Sequence, residues 1–274
     1  MFDSYNREID YLRISVTDRC NLRCTYCMPE AGIQLKSHFA ILPYEQILRI
    51  ADAAAGLGIR KIRLTGGEPL VRKDVSFLVR GLKQIPGITE VSMTSNGTLL
   101  DRFAGELKQA GLDRLNISLD TLDPGKYRRI TRNGEIAAAL AGIRAARDAG
   151  FAKIKVNMVL IPGFNQDELE PMKEFCSRNG LLLQRIHHYS LHEPRTAQSS
   201  LSARSGLEAE RPLSCSACNR LRLTADGKLK PCLFSNREFP VDFSDIRASL
   251  EQAVRSKPLQ GVACDNRGIW QIGG

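Results

Sequence analysis

No apolar run in this sequence approaches the ~20 residues that a membrane-crossing helix needs. No bilayer span is therefore expected. The stretch from Met1 to Ser15 is charged and has no apolar segment of the kind that opens a secretory signal. A cytoplasmic protein with no membrane partner is the expectation. There is also no run of five or more Lys or Arg, and no recurring aromatic–basic alternation. That argues against a nucleic-acid platform. Disulfides are not expected in a reducing compartment, so the eight cysteines call for another explanation.

The 274 residues are 43% hydrophobic, enough for one large core or for a main domain with a smaller appendage. Charged residues make up 25%, which speaks against global disorder. The net charge of +9 reads either as a solvated basic surface or as the mark of an anionic ligand such as a nucleotide. Six cysteines cluster, as Cys20, Cys24 and Cys27 and as Cys215, Cys218 and Cys232. Clustering suggests metal. Cys176 lies alone in a helical stretch with apolar neighbours and reads as a core residue. Cys264 also stands alone.

A strand–helix rhythm fills the first two-thirds. Strand-like runs at Tyr11–Val16, Lys61–Thr65, Glu90–Thr94, Arg114–Leu119, Ile154–Leu160 and Leu181–Ile186 alternate with helix-period segments, several of them closed by Gly. This predicts an α/β fold with a parallel sheet, a partial (β/α)6 TIM-like barrel rather than a complete eight-stranded one. Chemistry in such barrels gathers at the C-terminal strand ends. Residues 1–190 are expected to form the barrel, 191–212 a linker or surface loop, and 213–274 a small C-terminal domain. In that tail Asp226-Gly227 is a hairpin signal between Arg220–Ala225 and Lys228–Leu233, and Ser244–Arg255 reads as a helix.

Cys20-x3-Cys24-x2-Cys27 directly follows the first strand. Three thiolates can hold three irons of a 4Fe–4S cubane and leave the fourth open. Zinc is the alternative, although structural zinc takes four ligands. Gly66-Gly67-Glu68-Pro69 follows the second strand. Its glycines would let the backbone approach a ligand closely, and Glu68 offers an acceptor for an ammonium group. Cys215-x2-Cys218-x13-Cys232 supplies a second trio, with Cys264 as a possible fourth ligand and a zinc ribbon as the rival reading. From Arg211 to Arg237, ends included, there are six Lys/Arg and one acidic residue, an anion-binding patch.

The first cysteine run, with Tyr26 before its last member, resembles the radical S-adenosylmethionine superfamily. The resemblance implies a radical SAM barrel in which the open iron binds S-adenosylmethionine and one electron generates a hydrogen-abstracting adenosyl radical. It also implies cofactor contacts from Tyr26, Gly67, Glu68 and Ser118. A closer resemblance, to the GTP 3′,8-cyclase family of molybdenum cofactor biosynthesis, rests on Ile9 through Cys20, Cys27-Met28-Pro29-Glu30, Arg63 through Leu70, Thr94-Ser95-Asn96-Gly97, Leu119-Asp120-Thr121-Leu122, Lys155-Val156-Asn157-Met158, Cys218-Asn219-Arg220-Leu221-Arg222 and the terminal Gly273-Gly274. It implies two 4Fe–4S clusters, the second with an open iron that anchors guanine. It implies GTP contacts from Arg13, Arg63, Thr94, Lys155, Arg220, Leu221 and Arg222, and a catalytic tail formed by Gly273 and Gly274. The implied partners are an electron donor such as flavodoxin or ferredoxin and, downstream, cyclic pyranopterin monophosphate synthase, for a monomer or homodimer.

Two features depart from that family. His187-His188-Tyr189 stands where the family has Glu-Phe-Met beside the adenine. Alternation along a strand lets at most alternate members line the site, and Tyr189 is the candidate to stack on adenine. The connection from Tyr189 to Cys215 is also much shorter than the family's. Two other readings follow: a two-cluster radical enzyme acting on a peptide or other nucleotide, or a zinc-stabilised binding module.

Overall fold

The computed structural model describes residues 1–192, 209–211 and 214–272. Strand β1 (Tyr11–Ser15) leads into α1 (Tyr44–Gly56), β2 (Lys61–Thr65), α2 (Val75–Gln84), β3 (Glu90–Ser95), α3 (Leu100–Gln109) and β4 (Arg114–Ser118). Then follow α4 (Pro124–Thr131), α5 (Ile136–Asp148), β5 (Ile154–Leu160), α6 (Leu169–Arg178) and β6 (Leu182–His187). The tail adds β7 (Ala209–Arg211), β8 (Arg220–Leu223), β9 (Lys228–Lys230), β10 (Phe239–Pro240), α7 (Ile246–Arg255) and a last turn, α8 (Ile269–Ile272).

The helices form because their apolar residues recur at helical spacing. On α1 the buried positions are Ile47, Ile50, Ala51 and Ala54, and on α2 Val75, Leu78, Val79 and Leu82, each set a single stripe. Pro124 opens α4 behind Asp123, whose side chain accepts from Lys126 N, a regular N-terminal stop. That helix was not anticipated, because its eight residues include three cations and give only a weak apolar stripe.

The ten strands of the described residues form one sheet in the order β10-β9-β8-β1-β2-β3-β4-β5-β6-β7. The pairs from β8 through β1 to β7 are parallel, and β9 and β10 are added antiparallel. The barrel therefore stays open. The tail hairpin continues the sheet, with Arg13 of β1 in register with both Arg63 of β2 and Arg222 of β8. One expectation is corrected. The stretch from Ser190 to Pro212 contains strand β7, paired parallel to β6. Three residues are too few to give a period, so composition alone suggested a loop.

Strand alternation divides the sheet chemically. Leu12, Ile14, Ile62, Leu64, Val91, Met93, Leu115, Ile117, Val156, Met158, Leu183, Leu221 and Leu223 join the helices in one buried core. Their neighbours along the strands, among them Arg13, Arg63, Ser92, Asn116, Asn157, Gln184 and Arg222, are polar and face the other way. A barrel interior built of such residues cannot satisfy them all internally. It is suited to a polar ligand.

Candidate active site

The turn after β1 carries Cys20, Cys24 and Cys27, and all three line one cavity with Thr65, Gly66, Gly67, Glu68, Thr94, Ser118 and Tyr26. Both glycines line this cavity and also meet backbone closely. A Cβ on Gly67 would lie 2.1 Å from the Arg19 carbonyl oxygen, and one on Gly66 would lie 2.5 Å from that of Thr17. Gly67 N donates to Thr17 O and Glu68 N to Arg19 O, both at 2.8 Å. The backbone they approach is the cysteine turn itself, which they clamp from the side.

Glu68 is 1% exposed. Its carboxylate accepts from Leu70 N at 3.1 Å, Ser95 Oγ at 2.9 Å and Asn96 N at 2.7 Å. Burial outweighs these donors and pushes its titration up to about 7. Glu68 therefore ties β2 to β3 in addition to bordering the cavity. Asn96, quoted in a motif without a role, is held by Asn21 Oδ1 and donates to Cys20 Sγ at 3.9 Å. Tyr26 Oη donates to Asp120 Oδ2 at 2.7 Å, and Asp120 Oδ1 accepts from Val159 N. Burial raises the Asp120 carboxyl to about 6. These bonds fix the cysteine turn to the ends of β4 and β5. Sequence reasoning missed Asp120 as a positioning residue, because nothing in one sequence pairs residues 94 positions apart.

His187, His188 and Tyr189 all line this cavity, which corrects the expectation that at most alternate members would. Strand β6 ends at His187, and past that point the pleat no longer sends neighbours to opposite faces. Tyr189 packs edge-on to Phe234 at 5.4 Å between centroids.

A second cavity adjoins the first. It is lined by Arg13, Arg63, Arg220 and Arg222 together with Cys215, Cys218, Cys232, Tyr11, Gln184 and Lys257. Four guanidinium groups gathered here raise a strong positive field. Burial, then the neighbouring Arg222, holds Arg13 well below the ordinary arginine value, and burial and Arg220 bring Arg222 down to about 10. An anion would relieve that repulsion. Burial works against the Cys218 thiolate, yet Lys257 and Arg220 hold its thiol down at about 6. Lys257, also missed from the sequence, is 4% exposed and donates to Arg220 O and Pro231 O. In the first trio burial raises the free thiols, Cys20 to about 11 and Cys27 to about 12. A positive iron centre is the kind of partner that reverses that cost.

The other expected residues fall less simply. Thr94 borders the first cavity rather than the arginine cavity. Lys155 pairs in register with Asn116 one layer below, and Asn157 rather than Lys155 reaches the linings. Leu221 sits between Arg220 and Arg222, but its side chain turns into the core at 1% exposure, leaving only its backbone for a ligand. Cys264 lies outside both linings. Its thiol donates to Asn266 Oδ1 at 3.3 Å, in a small core with Leu191, Phe234 and Ile272. Cys176 is buried in the main core. Gly273 and Gly274 lie outside the described residues, as do the residues of the expected linker at 193–208.

A family model described as the radical SAM superfamily matches residues 14–176. The GTP 3′,8-cyclase of Moorella thermoacetica is 41% identical over 323 residues, and that of Petrotoga mobilis 39% over 323, each comparison covering all of both chains. The chain belongs to the GTP 3′,8-cyclase family of radical SAM proteins.

The alignment to these family members spans 323 positions against the 274 residues here, so they carry segments that this chain lacks. Among solved structures, Streptococcus suis SuiB bound to S-adenosylmethionine superposes with a TM-score of 0.70 at 14% identity, over 93% of this chain and 66% of that one. Native anSMEcpe with bound AdoMet gives 0.66 at 14% identity, over 91% and 81%. These two likenesses establish the radical SAM fold. Family membership brings an iron–sulfur cluster and S-adenosylmethionine, and the first cavity suits both. Among the described residues three thiols share its wall with no fourth cysteine, and the polar side chains of Ser118, Asn157 and Thr94 border it.

Proposed function

We propose that this chain converts GTP to (8S)-3′,8-cyclo-7,8-dihydroguanosine 5′-triphosphate, the step that opens molybdenum cofactor biosynthesis. The carrying observation is the meeting of two cavities, one walled by the first cysteine trio and the other by four arginines and the second trio. Cys20, Cys24 and Cys27 would hold an iron–sulfur cluster, whose chemistry when bound would be to pass one electron, taken from a donor such as flavodoxin or ferredoxin, to S-adenosylmethionine. The protein's part is to hold and shield. Tyr26, fixed by Asp120, and Ser118 shape the adenosyl side. Arg13, Arg63, Arg220 and Arg222 take the triphosphate, since each planar guanidinium can grip phosphate in two places. Cys215, Cys218 and Cys232, which line the same cavity as the arginines, would hold a second cluster on the base side.

Arg222 Nη1 also donates to Ile272 O at 3.0 Å, which ties Ile272, the residue before the two glycines, to an arginine of this cavity. This supports a part for Gly273 and Gly274 in the reaction, as two residues without side chains that fit a crowded space. The test is anaerobic incubation with S-adenosylmethionine, reductant and GTP, followed by mass analysis of the nucleotide. A cyclised product is expected from the full chain and none from a chain lacking the two glycines. Formation of 5′-deoxyadenosine with GTP left unchanged by the full chain would overturn the assignment.

A further inference from the structure

The proposed chemistry removes a hydrogen from the GTP sugar. The sugar must therefore reach the adenosyl side while the base and phosphates stay among the thiols and arginines. Among the described residues three side chains border both cavities: Asn157, Ile186 and Tyr189. Ile186 has no polar group to offer, and the Tyr189 ring already packs on Phe234. Asn157 is 8% exposed, and its Oδ1 is buried with no hydrogen-bond partner among the described residues. An amide atom left in that state is unfavourable unless a ligand completes it.

The surroundings give Asn157 its aim. It sits in β5, in register with Ser118 of β4 on one side and Gln184 of β6 on the other. Ser118 borders the adenosyl cavity and Gln184 the arginine cavity. Asn157 is thus the polar link in a row that crosses from one to the other. One layer below, Asn116 is fully buried with both amide atoms unpartnered among the described residues. No side chain beneath has taken up the unmet bonding.

We propose that Asn157 is a specificity-determining residue that takes a ribose hydroxyl of the nucleotide and holds the sugar at the junction. A hydroxyl serves whichever way the amide faces, because it both donates and accepts. This rests on the GTP reading above. The same chemistry could come from the ribose of S-adenosylmethionine. The position of Asn157 on the arginine cavity favours the substrate.

The test compares dissociation constants for GTP, 2′-deoxy-GTP and 3′-deoxy-GTP, measured anaerobically on the cluster-loaded full chain and on its Asn157→Ala and Asn157→Leu variants. The wild type should prefer GTP to one of the deoxy analogues by about tenfold, the scale of one buried hydrogen bond. Both variants should lose that preference. The ratio for one preparation does not depend on how much of it is folded, so a weakened fold cannot imitate this result. A variant that binds all three nucleotides more weakly but keeps the wild-type ratio would show a merely structural asparagine and overturn the inference. A wild type that binds GTP without preferring it to either analogue would overturn it equally. Loss of S-adenosylmethionine affinity with the nucleotide ratios intact would assign the hydroxyl to the cofactor. No GTP binding by the wild type would instead bring down the functional reading on which the inference stands.

Discussion

On β8, packing and binding alternate within three residues. Leu221 is in the core, while Arg220 borders the arginine cavity with its Nε buried and without a hydrogen-bond partner among the described residues. Leu221→Ala should lower unfolding stability by about 2–5 kcal/mol, the range for truncating a buried leucine, with GTP affinity changed little in the folded fraction. Arg220→Ala should do the reverse and cost about 1.5–3 kcal/mol of GTP binding, the scale of a bond to a charged group. Urea unfolding and anaerobic titration separate the two, and parallel losses in both variants would contradict this division. Asp226 offers a second residue-scale test. Burial opposes its charge, but the Thr224 hydroxyl and the Arg267 and Lys36 cations outweigh it and bring the carboxyl from 3.8 to about 2. A depressed carboxyl stabilises the fold above its unfolded value, and that contribution is lost as pH falls from about 4 toward 2. Thermal midpoints between pH 5 and pH 2 should therefore fall less steeply in Asp226→Asn than in the wild type.

Among the elements, the turn after β2 and the turn after β1 are built against each other. Gly67→Ala places a methyl group 2.1 Å from a backbone oxygen, and backbone cannot step aside as a flexible side chain can. The expected outcome is a displaced cysteine turn, with a lower melting temperature and iron lost from the first site. The three thiols of the tail should keep theirs. Iron analysis and S-adenosylmethionine binding provide the check, and a variant with full iron content and normal binding would contradict the clamp. The helices behind the sheet were readable because each keeps one apolar stripe, as α1 does with Ile47, Ile50, Ala51 and Ala54. Short pieces such as β7 and β10, of three and two residues, have no period and exist through their partners.

Across the whole molecule the two ends of the chain are joined. Arg7 pairs with Asp3 at 2.6 Å and donates to the carbonyls of Cys215, Pro258 and Leu259. Lys257 spans β8 and Pro231, and β8 lies against β1 along four residue pairs. Barrel and tail therefore share a sheet and its core. We expect thermal unfolding of the cluster-loaded protein to show one transition, coincident by circular dichroism and by cluster absorbance. An earlier, separate loss of the tail's signal would show that the C-terminal segment unfolds independently.

The sequence by itself carried the strand–helix rhythm, the six clustered cysteines and the likeness that names the cofactor chemistry. Each of these is local: a period of two or 3.6 residues, a three-residue spacing, a short motif. Cys176 could be placed in the core for the same reason, from its apolar helical neighbours. What lay beyond the sequence is non-local. Asp120 finds Tyr26, Lys257 finds Arg220 and Pro231, and the glycines of the second turn find the backbone of the first, only when strands distant in the chain are laid side by side. Leu221 shows the same limit from the other direction. Its neighbours in sequence border the cavity, but the pleat turns its side chain into the core. The junction of the two cavities at Asn157 exists only in the folded barrel, because β5 alone gives one asparagine no reason to differ from another. Its significance comes from the register that sets it between Ser118 and Gln184 with an amide oxygen unmet.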